Sequence, residues 1–299
     1  MRAGHIADTH MNKRTLHGIT SYSLVPSGIG INLQPHHFLA LDEQTVRDLL
    51  KVQGFIVVRD LQLTKPEFAE LYRRYGHPVE YRGRRANVGY GYGDMLELNG
   101  DMQKIVTGRG RLPLHTDGGI LRSNVDLIFL YGAQIENLRF RGATLVTDHV
   151  AAVREMPRHL LDVLEHDAFE VRAAEPGYYS GSSPEGWFTV DTFKELGWVR
   201  AMMLYFPFDE GDDPSWETRI VGFSTSETKK FFDELGAFLR RSDYTYTHYW
   251  KTGDLLICDN RRTLHEREAF REDVARRVLW RGQISESPIV FADDELLLG

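Results

Sequence analysis

From about residue 104 to residue 284 the chain is a succession of short apolar or alternating runs: Ile105-Val106, Val125 to Tyr131, Thr144 to Val146, Phe169 to Val171, Met202 to Phe206, Leu255 to Cys258 and Arg277 to Ile284. Runs of this length, punctuated by turn-forming residues, read as strands. Two helical patterns clearly interrupt them, one around 148–165 and one at 226–240. The latter carries a capping box at Ser224 and Glu227 and lines up Phe231, Phe232, Leu235, Phe238 and Leu239 on one face. A doubly wound parallel sheet needs regular strand-helix alternation, which is missing here. The pattern predicts a sandwich or jelly roll decorated with helices.

The N-terminal part reads differently. Residues 42–52 place Val46, Leu49, Leu50 and Val52 on one side of a helix, and Gly54 then gives way to the buried-strand run Phe55 to Val58. A second helix is expected from Thr64 as N-cap and Pro66 in the first turn, with Phe68, Leu71, Tyr72 and Tyr75 at helical spacing, ending at Gly76. The first twenty or so residues are polar and aperiodic, so residues 1–27 are expected to be an N-terminal arm, with order beginning near Gly28. No internal repeat or long linker divides the remainder, which makes 28–299 a single domain in expectation.

The 299 residues, 42% of them hydrophobic, can bury a substantial core. A formal charge of -7 gives no general attraction to nucleic acid or to an anionic membrane, so a small-molecule partner is favoured and a homo-oligomer stays open. The local exception, Arg82-Gly-Arg84-Arg85, could hold a phosphate or carboxylate but reads more simply as a solvated loop. The single cysteine, Cys258, sits in an apolar run and has no internal partner, which fits a reducing cytoplasm. No signal-peptide pattern and no membrane-spanning apolar stretch is expected from the sequence.

Chemistry concentrates in two places. In Leu112-Pro-Leu-His115-Thr-Asp117-Gly-Gly119 an imidazole and a carboxylate stand two apart, which in an extended strand puts them on one face. The glycines that follow permit a sharp turn and a close approach. His265 lies 150 residues downstream, after the strand-like Gly253 to Asn260, too far for a local zinc knuckle but within reach of strands joined in a closed β-architecture. Two histidines and one carboxylate cover one face of an octahedron and leave three positions open, as in non-haem Fe(II) oxygenases. His-x-Asp alone is weak, because a chain with twelve histidines produces it by chance. The set gains weight from Arg276-Arg277-Val-Leu-Trp-Arg281, where Arg277 and Arg281 share a face if the segment is a strand. A guanidinium grips a carboxylate through two parallel hydrogen bonds, whereas the bland reading of these arginines is a charged sheet edge.

At this point the residues carry a likeness. GIGINLQP, GFIVVRDLQLTKPEFAELYRRYGHPV, LPLHTDGG and GDLLICDNRRTLHEREAF…RRVLWRGQI occur in order over roughly residues 28–284, and the chain resembles the taurine dioxygenase (TauD/TfdA) family of Fe(II)/2-oxoglutarate oxygenases. The resemblance implies a mainly β fold, a double-stranded β-helix (jelly-roll) core flanked by helices. It also implies His115, Asp117 and His265 as iron ligands, Thr144 and Arg277 on a carboxylate of 2-oxoglutarate, and O2 as oxidant. Arg281 matches a second arginine near the other carboxylate and the substrate, a position where relatives differ. A narrower similarity points to small biosynthetic members of the isocyanide (paerucumarin-type) kind, which act on modified amino acids. Related halogenases replace the carboxylate ligand with a small residue, so Asp117 argues against halogenation and leaves hydroxylation, desaturation and ring formation open.

Tyr90 and Tyr92, in Gly89-Tyr-Gly-Tyr-Gly93, could form a lid over a substrate or simply a flexible loop. The segment Tyr178 to Ser183 has the same two readings, and Asp209 to Asp213 reads as a solvated loop. His36, His37, His77 and His248 lack a partner at ligand spacing and are expected to be structural or superficial. The competing functions are a non-catalytic metal-binding protein on the same scaffold and a demethylase of nucleic acid or protein residues.

Overall fold

The computed structural model describes residues 13–16, 18–79, 94–100, 108–120, 124–174, 186–212, 214–270 and 274–288. The first long helix, Glu43–Gln53, starts where the Asp42 side chain accepts the Thr45 N–H at 2.7 Å and stops at Gly54, whose φ of +72° suits a residue without a side chain. The next helix, Lys65–Arg73, opens with a complete capping box between Thr64 and Glu67. Both helices lie over one face of a large sheet.

Phe55–Val58 shows how that sheet is buried on two sides. Ile56 and Val58 join the cluster formed with the helices, through Leu49, Leu50, Phe68 and Tyr72, while Phe55 and Val57 point the other way. Going across the sheet, the strands are Ile31–Leu33, Phe55–Val58, Leu255–Asp259, Leu127–Glu136, Arg276–Ser285 and His77–Pro78, and Met95–Leu98 also pairs with Arg276–Ser285. Ile31–Leu33 runs parallel to Phe55–Val58; the other pairs are antiparallel.

A smaller antiparallel sheet is ordered Thr245–His248, Thr144–Asp148, Thr263–Arg267 and Leu112–His115. Its Val146 shares an apolar cluster with Ile128, Leu130, Leu256 and Leu279 of the large sheet, which marks the space between the two sheets. Its other face, through Leu114 and Leu264, packs on the helices His149–Glu155, Arg158–His166 and Thr225–Leu239. Two sheets with one shared interior and helices outside form the mainly β, helix-flanked jelly roll expected from the sequence.

Three expectations change. The segment expected as an arm over 1–27 contains a hairpin, Lys13–Leu16 paired with Ile19–Tyr22, with Ile19 against the core and Val25 buried, so regular structure is found before Gly28. The helix expected over 148–165 is two, because Met156 takes the extended conformation (ψ 134°) that a following proline favours. Met202 to Phe206 is mostly not strand: Arg200–Met202 is, and Tyr205 makes a single bridge to His115. Ile105-Val106 lies outside the described residues.

Candidate active site

His115 ends its edge strand directly opposite His265, and the two rings stand 4.2 Å apart between centroids. The His115 Nδ1–H donates to the Pro113 carbonyl at 2.7 Å, which leaves Nε2 as the nitrogen facing the carboxylate. After the strand ends, Gly118 (φ +103°) turns the chain and Asp117 points back at both rings. Its Oδ1 lies 3.5 Å from His115 Nε2 and its Oδ2 3.7 Å from His265 Nε2. One ligand atom from each of the three residues falls within 4.8 Å of the others.

The turn is held from outside. Asn260, buried at the end of Leu255–Asp259, accepts the Asp117 N–H at 3.0 Å and donates to the Asp117 carbonyl at 3.0 Å and the Val125 carbonyl at 2.7 Å. Tyr205 accepts the Ile120 N–H at 3.2 Å, and a Cβ on Gly119 would meet its hydroxyl at 2.8 Å, so a side chain at 119 would displace it. The Asp117 carboxylate itself takes a hydrogen bond from the Gln283 amide and lies 3.6 Å from Arg281 Nη1. Burial raises the pKa of Asp117, but Arg281, His265 and His115 outweigh burial and hold the carboxyl well below its usual range. Burial and the His115 ring push the His265 imidazole down to about 3.

On the facing sheet Arg277, Leu279, Arg281 and Gln283 alternate into the interior, all of them buried, while Arg276 is exposed. Arg277 passes between Trp250 and Phe270, with its guanidinium carbon 5.7 and 5.6 Å from the two ring centroids. It donates to the Thr144 hydroxyl at 3.1 Å, and no carboxylate pairs with it among the described residues. Burial, with Arg267 nearby, pushes its pKa down. The Trp250 indole N–H donates to the same hydroxyl at 2.9 Å.

The fold thus brings together six of the residues singled out by sequence, His115, Asp117, His265, Thr144, Arg277 and Arg281. Tyr90, Tyr92, the segment 178–183 and the run Arg82 to Arg85 lie outside the described residues. His36, His37 and His77 are exposed, and His248 is a buried residue packed on Trp250, 3.4 Å from Asp254. Asp209 of the expected solvated loop pairs with Arg111. Sequence reasoning missed Asn260, Gln283 and Trp250. Gln283 was within reach, since it continues the two-residue alternation that links Arg277 to Arg281.

Residues 20–283 match the family described as taurine catabolism dioxygenase TauD, TfdA family. The chain belongs to the TauD/TfdA family. Among solved structures, PvcB from Pseudomonas aeruginosa superposes with a TM-score of 0.67 at 18% identity, covering 97% of each chain. Another structure of PvcB, described as an Fe, alpha-ketoglutarate dependent oxygenase from an isonitrile synthetic pathway, gives 0.66 at 17% identity, again covering 97% of each chain. A putative alpha-ketoglutarate-dependent taurine dioxygenase from Burkholderia xenovorans gives 0.65 at 19%, covering 95% of this chain and 92% of that one. At these identities the likeness is one of fold. Pentalenolactone F synthase of Streptomyces arenae is 36% identical over 61 residues, a match spanning 20% of this TauD/TfdA chain and 20% of that relative. The family match begins at residue 20, inside the segment expected to be an arm.

Proposed function

We propose that this TauD/TfdA chain is an Fe(II)- and 2-oxoglutarate-dependent oxygenase that hydroxylates, desaturates or cyclises a small amino-acid-like or carboxylate-bearing molecule. The observation that carries the reading is the convergence of His115, Asp117 and His265 within 4.8 Å, together with a buried arginine on the facing sheet, Arg277, that has no carboxylate partner among the described residues. The donor set fits a ferrous ion: two imidazole nitrogens and an ionised carboxylate gathered on one side. The uncompensated guanidinium fits the distal carboxylate of 2-oxoglutarate.

In this reading His115, Asp117 and His265 hold the iron, and Thr144 and Arg277 hold the distal carboxylate. Arg281 helps keep Asp117 ionised and, as the family resemblance implies, would meet the other carboxylate or the substrate. Leu130, Val146 and Leu279 pack together between the two sheets, an apolar lining that would limit bulk water there. When bound, iron and 2-oxoglutarate supply the oxidising chemistry, with O2 consumed and succinate and CO2 released. The buried free Cys258 suits a reducing compartment, and a cytoplasmic location is part of the proposal.

Anaerobic addition of Fe(II) and 2-oxoglutarate should give a visible metal-to-ligand band, and admission of air should yield succinate. Absence of both would overturn the reading. Metal binding without succinate would favour a non-catalytic metal protein, and tight salt-dependent binding of an oligonucleotide would favour a demethylase.

A further inference from the structure

The Thr144 hydroxyl has two acceptor lone pairs and one proton to give. Both of its partners are pure donors: the Trp250 indole N–H at 2.9 Å and the Arg277 Nη2 at 3.1 Å. Neither can accept the hydroxyl proton. Thr144 is 3% exposed, and no acceptor for that proton occurs among the described residues. The Arg277 Nε is a second buried donor without a partner there. With both lone pairs filled, the hydroxyl has one remaining role, to donate.

We infer that Trp250 is a positioning residue that fixes the polarity of Thr144, so that hydroxyl and guanidinium form an all-donor pocket accepting a carboxylate and rejecting its amide. The inference rests on the co-substrate reading above and extends it to a residue that touches no reacting atom. Trp250 is held for this task by packing. His248, two residues before it, is the register partner of Thr144 and stacks edge-on against the indole at 4.4 Å, and the Arg277 guanidinium lies over the indole's face. The ring therefore has little freedom to withdraw its N–H.

The chemical consequence concerns selectivity. A carboxylate offers acceptor atoms to every donor in the pocket. The corresponding amide places an NH2 against at least one of them, and a buried donor facing a donor loses its hydrogen bond outright. Without the indole N–H, one Thr144 lone pair is free. The hydroxyl can then turn and accept from the amide.

The test is a titration of anaerobic Fe(II)-loaded protein with 2-oxoglutarate and with its distal amide, 2-oxoglutaramate, read by the visible band and by calorimetry. Wild type should prefer the acid by about a hundredfold or more. In Trp250→Phe the acid should bind roughly tenfold more weakly, the amide no more weakly than before, and the preference should fall to about tenfold. Co(II) affinity, measured separately, should not move. A tryptophan that only fills space would lower both affinities in proportion, so an unchanged acid-to-amide ratio in Trp250→Phe overturns the inference. If wild type binds no 2-oxoglutarate while still binding Co(II), the co-substrate reading itself has failed. Should the variant not fold, hydrogen exchange of the Trp250 indole N–H in Zn(II)-loaded wild type decides. Protection that deepens with 2-oxoglutarate supports the assignment, and exchange at the rate of a free indole overturns it.

Discussion

At the proposed metal end of the site Asp117 lies among two imidazoles, the Arg281 guanidinium and the Gln283 amide, so its charge is balanced within the chain. At the other end Arg277 is at least as deeply buried, yet its hydrogen-bond partner is a hydroxyl and its flanks are aromatic rings. Burying an ion costs several kcal/mol unless a partner compensates it. The first end is therefore complete without ligand. The second, on the proposed reading, would be completed by one, and the two ends should answer in opposite ways when their central residue is removed.

The largest effect is expected from Asp117→Ala. Loss of the proposed carboxylate ligand should lower succinate formation by about a thousandfold or more. The unliganded protein should also melt earlier, because the Gln283 amide loses its acceptor and the cluster of two imidazoles and Arg281 loses the negative charge at its centre, a loss of about 3 kcal/mol. Arg277→Met should behave conversely. Affinity for 2-oxoglutarate should fall by about a hundredfold, yet the unliganded protein should melt a few degrees higher, since a charge with no carboxylate partner among the described residues is exchanged for a side chain of similar volume. Differential scanning calorimetry of the two variants reads both signs, and a lower melting temperature for Arg277→Met breaks the comparison.

A smaller change is expected at Asn260, which clamps the main chain of Asp117 rather than its carboxylate. Asn260→Leu should weaken Co(II) binding by about 10- to 100-fold while leaving 2-oxoglutarate affinity of metal-loaded protein within about threefold. The smallest effect lies away from the site. His149, buried at the start of its helix with Nε2 3.1 Å from the Arg261 carbonyl, is pushed down to about 4, chiefly by burial. A folded-state pKa below the unfolded value of about 6.5 means that its contribution is fully present above pH 6.5 and is lost as pH falls toward 4. At pH 5.5 this amounts to about 1 kcal/mol, and a His149→Gln variant that folds should show a flatter decline of stability over the window.

The same contrast explains what could be read beforehand. Strands announced themselves where burial is two-sided, as at Phe55 to Val58 and Leu255 to Cys258, because nearly every residue there is apolar. That His115, Asp117 and His265 converge, and that Arg277 faces the interior, was legible because metal and carboxylate chemistry restrict residue type and because ordered motifs span the chain. Asn260 and Trp250 were not, since an amide and an indole serve many purposes and their role depends on which distant backbone or hydroxyl they meet. The break at Pro157 was overlooked because apolar spacing continued across it, although a proline's effect on the preceding residue is local and predictable. The N-terminal hairpin was missed because its residues are largely polar and exposed, so periodicity carried no signal.

The most direct test of the account is a crystal structure of the protein grown anaerobically with Fe(II) and 2-oxoglutarate, with anomalous data collected at the iron edge. A single iron peak bonded to His115 Nε2, His265 Nε2 and an Asp117 oxygen, with the distal carboxylate on Arg277 and Thr144, is the predicted result. Iron bound elsewhere, or a distal carboxylate turned away from Arg277, would contradict it.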